Sequence, residues 1–391
     1  MDQSAATMLT SAGRDLSHDG VSVNPPVYRA STFVFRTLGA FDEASKTPFD
    51  GPFYGRIGTP TTFAFEEAVA KLEGGHRAIA CASGLAAITA TFLAFLKAGD
   101  HCLVVDSVYG PARRLCDRTL ARMGVETSYY DPSVGAEIKS LIRPNTRLIY
   151  MESPGTGTFE VQDVPAIAAV ARRHGIATAV DNTWATPLYF RPLDRGVDVS
   201  IQAATKYFVG HSDAMLGVIT ATEAAYPDVR RTTQDMGSCA GSEECNLGLR
   251  GLRTLAVRLA RHNASGIEVA RWLAERPEVM QVLHPAFPGC IGHDLWKRDF
   301  SGASGLFSCV LAPGFALPAF VDALHHFKIG FSWGGYESLV LPAHPETRRH
   351  PRWTETGPVL RFHVGLEDPE DLKADLAHGF ALAAGSTEVR R

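Results

Sequence analysis

The segment that decides the fold lies between residues 198 and 213 and reads Asp-Val-Ser-Ile-Gln-Ala-Ala-Thr-Lys-Tyr-Phe-Val-Gly-His-Ser-Asp. The mostly apolar run Val197–Ala203 predicts a buried strand. Lys206 comes at the end of this strand, which is an awkward position for a charge that is only solvated. Burial would lower the pKa of its amine, as a Schiff-base lysine requires. The alternative is a lysine whose stem covers apolar surface while its amine reaches water at the sheet edge.

Strands and helices alternate on the N-terminal side of this segment. Short apolar runs predict strands at Ala78–Cys81, His101–Val105, Arg147–Met151 and Ile176–Val180. Apolar residues recur at helical spacing between them, for example over residues 85–96. Connections of this kind imply a mostly parallel sheet with helices on both faces, and therefore an α/β fold.

The chain divides into three regions. Residues 1–60 are rich in Pro, Gly and aromatic residues, show little periodicity and predict an extended N-terminal arm. Residues 61–250 form the predicted large α/β domain. Residues 251–391 predict a smaller C-terminal α+β domain, which begins with a long helix at Leu252–Ala274 and ends with a strand and a helix. A chain of 391 residues is too long for one compact core, which supports the division.

Composition excludes several classes of function. The formal net charge of -4 gives no basic footprint for nucleic acid, and no run of roughly 18 apolar residues could span a membrane. The polar N-terminus lacks a signal-peptide core, so we expect a cytoplasmic protein. Seven scattered cysteines without a CxxC pair predict neither a disulfide framework nor a metal site. Gly155-Thr-Gly157 lacks the third glycine of a dinucleotide fingerprint, which argues against a Rossmann oxidoreductase.

Ligands of open α/β sheets bind at the carboxyl ends of the strands, where two further candidates lie. Ser83-Gly84-Leu85 joins a strand to the start of a helix, whose N–H groups and dipole suit a phosphate. The alternative is an ordinary strand–helix turn. Asp181 follows another strand, where a carboxylate could ligate a metal, cap a helix or pair with a buried cation.

Together, an anion cradle, a carboxylate and a lysine at successive strand ends describe a site for pyridoxal 5'-phosphate (PLP). The cradle that starts at Ser83 would hold the phosphate, and Asp181 would keep the pyridine nitrogen protonated. Lys206 would form the Schiff base with the cofactor. The protonated ring would then withdraw electrons from a substrate carbanion.

The sequence resembles the Cys/Met-metabolism PLP enzymes, a family of cystathionine γ-synthases, γ-lyases and β-lyases. The resemblance runs from Val23-Asn-Pro-Pro-Val-Tyr to the C-terminal helix, and its strongest motif is the lysine segment 198–213. It implies the aspartate-aminotransferase-like fold (fold type I). Ser332-Trp-Gly-Gly-Tyr-Glu-Ser-Leu is most similar to the bacterial β-lyases of this family, because synthases and γ-lyases usually lack the tryptophan. Gly251-Leu-Arg-Thr-Leu and His284-Pro-Ala-Phe-Pro-Gly agree.

The resemblance also implies roles around the cofactor. Tyr109 should stack on the pyridine ring beside the substrate and so take part in catalysis; the alternative is a loop aromatic packed on the core. Gly84 and Leu85 should bind the phosphate through backbone N–H groups, and Thr205 through its hydroxyl.

Other implied roles concern the substrate and a second subunit. Tyr54 and Arg56 should reach the phosphate of the neighbouring subunit's cofactor, which implies a dimer with shared sites. The family's usual form is a tetramer of two such dimers. Arg361 should clamp the substrate carboxylate through its planar guanidinium, while Ser332 and Trp333 line the substrate side.

The reaction implied is β-elimination. Lys206 removes the α-proton, and the thiolate leaves Cβ with a proton from Lys206 or Tyr54. L-Cystathionine would give homocysteine, pyruvate and ammonia, as in methionine biosynthesis. The alternatives are γ-lyase or γ-synthase chemistry in the same family, and a PLP-binding regulatory protein. Ile57 and Phe331 replace polar residues common in related β-lyases, so other, less polar cysteine S-conjugates are further candidate substrates.

Overall fold

The computed structural model of the chain describes residues 4–14, 17, 19–345 and 353–388. Within this part, the α-helices, numbered α1 to α12, are Ala5–Ser11, Leu38–Lys46, Pro60–Glu73, Gly84–Phe95, Gly110–Arg114, Val164–Arg173, Thr186–Tyr189, Tyr226–Asp235, Ser242–Ala274, His293–Asp299, Leu317–Asp322 and Pro369–Glu388. The strands, numbered β1 to β12, are Arg77–Cys81, His101–Val105, Glu126–Tyr130, Thr146–Glu152, Ala177–Asp181, Val199–Gln202, Gly217–Ala221, Val279–Leu283, Leu306–Leu311, Lys328–Ile329, Leu339–Ala343 and Val359–His363. A π-helical segment, Leu115–Leu120, continues α5.

The larger sheet has seven strands in the order β1-β7-β6-β5-β4-β2-β3. Strand β7 is antiparallel to both of its neighbours, and the remaining pairs are parallel. The predicted mostly parallel α/β sheet is therefore confirmed. Because β1, β2, β4, β5 and β6 share one direction, their carboxyl ends meet along one edge, where ligands of such sheets bind.

Helix α3 illustrates how the sequence sets the ends of an element. Thr59 caps its N-terminus by accepting a hydrogen bond of 3.3 Å from the Thr62 N–H, and Pro60 suits the first turn. Gly74 ends the helix in the left-handed region at φ 69°. These signals place the helix directly before β1 and so fix the start of the sheet.

The smaller sheet has five strands in the order β10-β11-β12-β9-β8. Strand β12 lies between β11 and β9 and is antiparallel to both. Its apolar face packs with α11 and α12 around a phenylalanine-rich core that includes Phe307, Phe320, Phe362 and Phe380. Because β12 also contains Arg361, this core fixes the position of the predicted carboxylate clamp.

Helix α9 connects the two sheets. It has 33 residues and contacts α1 and α3 as well as β8 and α12. The predicted helix Leu252–Ala274 was too short, since α9 begins at Ser242. The predicted boundary at residue 250 lies inside α9, and the division into regions 1–60, 61–250 and 251–391 stays a prediction.

The N-terminal arm contains two helices that the sequence analysis missed. Ser4 caps α1 and Thr37 caps α2, each through a side-chain oxygen that accepts a backbone N–H. Leu9 of α1 is buried against the body of the protein, whereas no residue of α2 is buried. Most other residues between 21 and 59 have no regular structure, and the extended arm stays a prediction.

No helix within the described residues is long and apolar enough to cross a lipid bilayer. The same residues contain no group of three or more His, Cys, Asp or Glu side chains placed to hold a metal ion. All seven cysteines lie in the described part of the chain and are free thiols.

Candidate active site

Lys206 lies in a tight turn directly after β6. Its Nζ donates a hydrogen bond of 2.6 Å to Ser332 Oγ and lies 5.3 Å from the centre of the Trp333 ring. Burial, and next the positive charge of Arg361, lower the pKa of Lys206 to about 8, while Asp181 acts in the opposite direction. The amine is therefore held in a partly buried position and gives up its proton more readily than an exposed lysine.

Asp181 is the last residue of β5 and is buried. Its Oδ1 accepts hydrogen bonds from the Thr183 N–H at 3.0 Å and from the Thr183 hydroxyl at 2.5 Å. The Thr183 hydroxyl in turn accepts the Ala203 N–H at 2.8 Å. Burial raises the pKa of Asp181, although the Thr183 bonds and then Lys206 oppose this. Thr183, which the sequence analysis missed, thus ties Asp181 to the turn that carries Lys206.

The predicted phosphate cradle touches the same turn. Ser83 Oγ caps α4 by accepting the Ala86 N–H at 3.1 Å. A Cβ on Gly84 would lie 2.6 Å from the Cβ of Ala203, so only glycine allows α4 to start this close to the turn. The first N–H groups of a helix have no partner within it, and Gly84 and Leu85 supply two of them here.

The hydroxyl of Thr205 is already engaged. It donates to the Leu216 carbonyl at 3.0 Å and accepts the Leu216 N–H at 2.8 Å. A phosphate oxygen needs a donor, so Thr205 would have to release the Leu216 carbonyl in order to bind one. Its predicted phosphate contact stays a prediction.

Tyr109 follows β2 and immediately precedes α5. Its N–H donates to Glu152 Oε2 at 2.7 Å, and the Thr156 hydroxyl donates to the other carboxylate oxygen. Glu152 ends β4 and lies opposite Asp181 in the strand register. Burial raises the pKa of Tyr109, and Asp181 and Glu152 add to the effect. Glu152 was not predicted from the sequence, although the rule that selected Asp181 applies to it equally.

The predicted substrate-side residues converge on Lys206. Arg361 Nη2 donates to the Ser332 carbonyl at 3.1 Å, while the Ser332 hydroxyl accepts from Lys206. The Trp333 ring packs against Tyr207 with 5.4 Å between ring centres. The structure therefore brings Arg361, Ser332 and Trp333 together around one amine.

Tyr54 and Arg56 have their contacts elsewhere. Tyr54 pairs with Thr32 in an isolated β-bridge and is 46% exposed. Arg56 Nη1 donates to the backbone carbonyl of Gln234 at 2.8 Å and lines a surface depression that also contains Cys239. The contacts of both residues within the chain do not involve the Lys206 turn.

The residues around Lys206 fit PLP. A buried carboxylate, an amine of lowered pKa and the start of α4 all connect to the short segment from Ala203 to Lys206. The carboxylate would face the pyridine nitrogen, the amine the aldehyde carbon and the helix start the phosphate. Tyr109 would supply an aromatic face beside them.

Comparison with known proteins agrees with this fit. The chain is 43% identical to the cystathionine beta-lyase of Escherichia coli (strain K12) over 390 residues, which cover 97% of this chain and 99% of that protein. It is 44% identical to the cystathionine beta-lyase of Bordetella avium, with 93% of each covered. It is also 40% identical to an L-alanine/L-glutamate racemase of Wolbachia pipientis wMel, with 95% of each covered.

A solved structure and a family pattern extend the similarity to the whole fold. The crystal structure of metB from Corynebacterium glutamicum superposes with a TM-score of 0.88 at 32% identity, covering 97% of this chain and 98% of that one. This likeness bears out the predicted fold type I. The sequence pattern of the Cys/Met metabolism PLP-dependent enzymes matches residues 6–381. The chain therefore belongs to the Cys/Met metabolism PLP-dependent enzyme family.

Proposed function

We propose that the chain catalyses β-elimination at a sulfur amino acid and cleaves L-cystathionine, with uptake of one water, to homocysteine, pyruvate and ammonia. The observation that carries the proposal is the set of contacts around the Lys206 amine. The amine hydrogen bonds to the Ser332 hydroxyl and lies beside the Trp333 ring, and the Arg361 guanidinium binds the Ser332 carbonyl. PLP, when bound, supplies a ring that withdraws electrons from the substrate Cα. The two cystathionine beta-lyases above support the choice of reaction.

Residues of the chain bind the substrate, transfer the proton and hold the cofactor. Arg361 binds the α-carboxylate through its planar guanidinium and so orients the Cα–H bond toward Lys206. The Lys206 amine accepts the α-proton, which its lowered pKa permits near neutral pH, and can return a proton to the departing thiolate. The Asp181 carboxylate would hold the pyridine nitrogen of bound PLP in its protonated form, and Tyr109 would supply an aromatic face for the ring.

The proposed sites are shared between two subunits. Tyr54 and Arg56 lie on the exposed part of the arm, where they could reach a neighbouring subunit's phosphate site at Ser83 to Leu85. The proposed assembly is a C2 dimer, two of which form a tetramer, and the proposed location is the cytoplasm.

The side of the pocket that faces the leaving thiol is proposed to be apolar. Phe331 is 90% exposed and directly precedes Ser332, which contacts the Lys206 amine. An exposed ring at this position favours thiols with apolar groups. Cysteine S-conjugates with alkyl or aryl groups are therefore proposed as additional substrates.

The test is the identity of the product. Purified protein with PLP should absorb at about 420 nm and release pyruvate from L-cystathionine. Lys206→Ala should lower pyruvate release by at least ~10³-fold, or roughly 4 kcal/mol of barrier. Release of α-ketobutyrate would move the cleavage to Cγ, and racemisation of alanine or glutamate without pyruvate would place the chain with the Wolbachia relative. A Lys206→Ala variant with near-normal turnover would overturn the role of Lys206.

A further inference from the structure

Ser332 has a backbone conformation that is rare for its residue type. Its φ is 79°, in the left-handed region that non-glycine residues seldom adopt. Such a conformation persists only where neighbouring contacts enforce it, and it is common at functional sites. Because the Ser332 hydroxyl and carbonyl contact Lys206 and Arg361, whatever enforces this conformation also positions those two groups.

His363 holds the loop of residues 332–335 from the side of β12. The Gly334 N–H donates to His363 Nε2 at 3.0 Å. Gly334 also lies against the Lys206 turn, since a Cβ there would be 2.9 Å from the Lys206 carbonyl carbon. The loop is therefore fixed between the turn that carries Lys206 and the imidazole of His363.

The same face of β12 contacts the loop twice. Arg361 and His363 are two residues apart, so their side chains project from one face of the strand. Arg361 binds the carbonyl of Ser332, and His363 accepts the N–H of Gly334, two residues further along. These two bonds lie on either side of Trp333, and the first of them holds Ser332 itself.

The tautomer of His363 is assigned from the two contacts of its Nε2, since a neutral ring carries its proton on either Nε2 or Nδ1. The Gly335 carbonyl lies 3.2 Å from the same Nε2, which cannot accept from Gly334 and donate to Gly335 at once. We assign Nε2 as the acceptor of the shorter bond, because the buried Gly334 N–H requires an acceptor. The ring proton then lies on Nδ1, which has no hydrogen-bond partner within the described residues. His363 is fully buried, and this burial keeps its pKa well below the usual range, so the ring is neutral and one of its two nitrogens can accept a hydrogen bond.

We infer that His363 is a positioning residue, whose Nε2 holds Gly334 and thereby keeps Ser332 and Trp333 against the Lys206 amine. No role for this histidine follows from the cofactor site itself, because it contacts neither Lys206 nor Arg361 by a hydrogen bond. It acts through the loop. The inference rests on the proposed function only in treating Lys206 as the reactive lysine.

Two substitutions distinguish loss of the hydrogen-bond acceptor of His363 from loss of its packing. The amide of glutamine reaches the position of a histidine Nε2, whereas that of asparagine reaches only the position of Nδ1. His363→Gln should therefore keep the bond to Gly334, and His363→Asn should lose it. His284, which is fully buried among other aromatic rings, provides the control for loss of packing alone as His284→Asn, because its Nδ1 accepts the Ala286 N–H and asparagine keeps that acceptor.

The measurement is the reactivity of the Lys206 amine in cofactor-free protein. Acetic anhydride modifies only the neutral amine, so mass spectrometry of the peptide containing Lys206 across pH gives its titration midpoint. In the wild-type protein the titration midpoint of Lys206 should lie at a pH of about 8. His363→Asn should move it upward by at least about half a pH unit, because the loosened loop no longer shields the amine. His363→Gln and His284→Asn should leave the midpoint in place.

The outcomes are decisive in both directions. A wild-type midpoint in His363→Asn, or an equal shift in His363→Gln, would overturn the inference. A shift in His284→Asn would attribute the effect to general loss of packing and overturn it as well. The labelling needs neither PLP nor substrate, so it gives an answer even if the protein releases no pyruvate.

With cofactor restored, kinetics provide a second readout. His363→Asn should lower kcat/KM for cystathionine at least about tenfold, and His363→Gln should recover most of the loss. Equal losses in the two variants would contradict a role for the Nε2 acceptor.

Discussion

The reactivity of Lys206 depends on two charges that act in opposite directions. Burial is the largest cause of its lowered pKa, Arg361 lowers it further, and Asp181 raises it. A neutral lysine is the nucleophile and the base, so the fraction of reactive amine rises as the pH passes upward through about 8. Changes at the two neighbours should therefore move this pH window in opposite directions.

Arg361→Met and Asp181→Asn test this balance. Removal of the guanidinium charge should raise the titration midpoint of Lys206 in cofactor-free protein, and removal of the carboxylate charge should lower it. The acetylation measurement described above reports both shifts. Movement of the two variants in the same direction would contradict at least one of the two charge effects.

The sequence predicted part of this site and not the rest. Asp181, Lys206 and the start of α4 were found because each lies at a strand's carboxyl end, and Glu152 could have been found in the same way. The role of Arg361 was predicted only from the family resemblance, because an arginine in a strand normally indicates a surface charge. Thr183 and His363 act through bonds to Ala203 and Gly334, and no local pattern predicts such distant partners.

Helix α3 and strand β6 meet at a buried carboxyl group. One oxygen of Glu73 accepts hydrogen bonds from the Ser200 hydroxyl at 3.1 Å and the Gln202 amide at 2.9 Å. Its other oxygen has no partner within the described residues. Burial raises the pKa of Glu73 from 4.5 to about 7 against these bonds. Ionisation of this carboxyl thus opposes the packing of α3 on the strand that leads to Lys206.

The pH dependence of stability follows from this shift. Folded Glu73 holds its proton more tightly than the unfolded chain, so its contribution is complete below about 4.5 and is lost as the pH rises through about 7. Glu73→Gln should weaken the fall in unfolding free energy over this range, as measured by urea denaturation at several pH values. Glu67→Gln, at a half-exposed position on the same helix, is the control and should leave the slope unchanged. Equal slopes in wild type and Glu73→Gln would contradict the assignment.

Most elements of the body were predictable, and the exceptions share a cause. Strand β2 has the predicted bounds, and the other predicted strands of the large sheet differ by one or two residues at their ends. The first turns of α9 were missed because glycines interrupt their helical pattern. Gly251 is required there by tertiary packing, since a Cβ would lie 2.0 Å from the Phe208 carbonyl oxygen. The arm helices α1 and α2 are too short for periodicity to reveal them.

Tyr54 and Arg56 have their proposed role only in the assembled dimer. The two residues have no bond to the Lys206 turn of their own chain, as described above. If each site takes Arg56 from one subunit and Lys206 from the other, two inactive variants should complement one another. This is a property of the dimer that a single chain cannot display.

Mixing Arg56→Ala with Lys206→Ala provides the test. After subunit exchange at equal amounts, half of the dimers are mixed and each contains one intact site, so pyruvate release should recover to about a quarter of wild type. Each variant alone should remain strongly impaired. A mixture no more active than the sum of its parts would place both residues in the same chain's site.

The chain also contains one exposed thiol, that of Cys239, to which a probe can be attached. Six of its seven thiols are buried, and burial raises the pKa of each of them, so they resist alkylation: Cys81, Cys102, Cys116, Cys245, Cys290 and Cys309. Cys239 is exposed and lies in the same depression as Arg56. A maleimide dye would therefore mark a single place on the unaltered chain, beside the proposed subunit contact. Energy transfer between differently coloured preparations could then follow the exchange of subunits in real time.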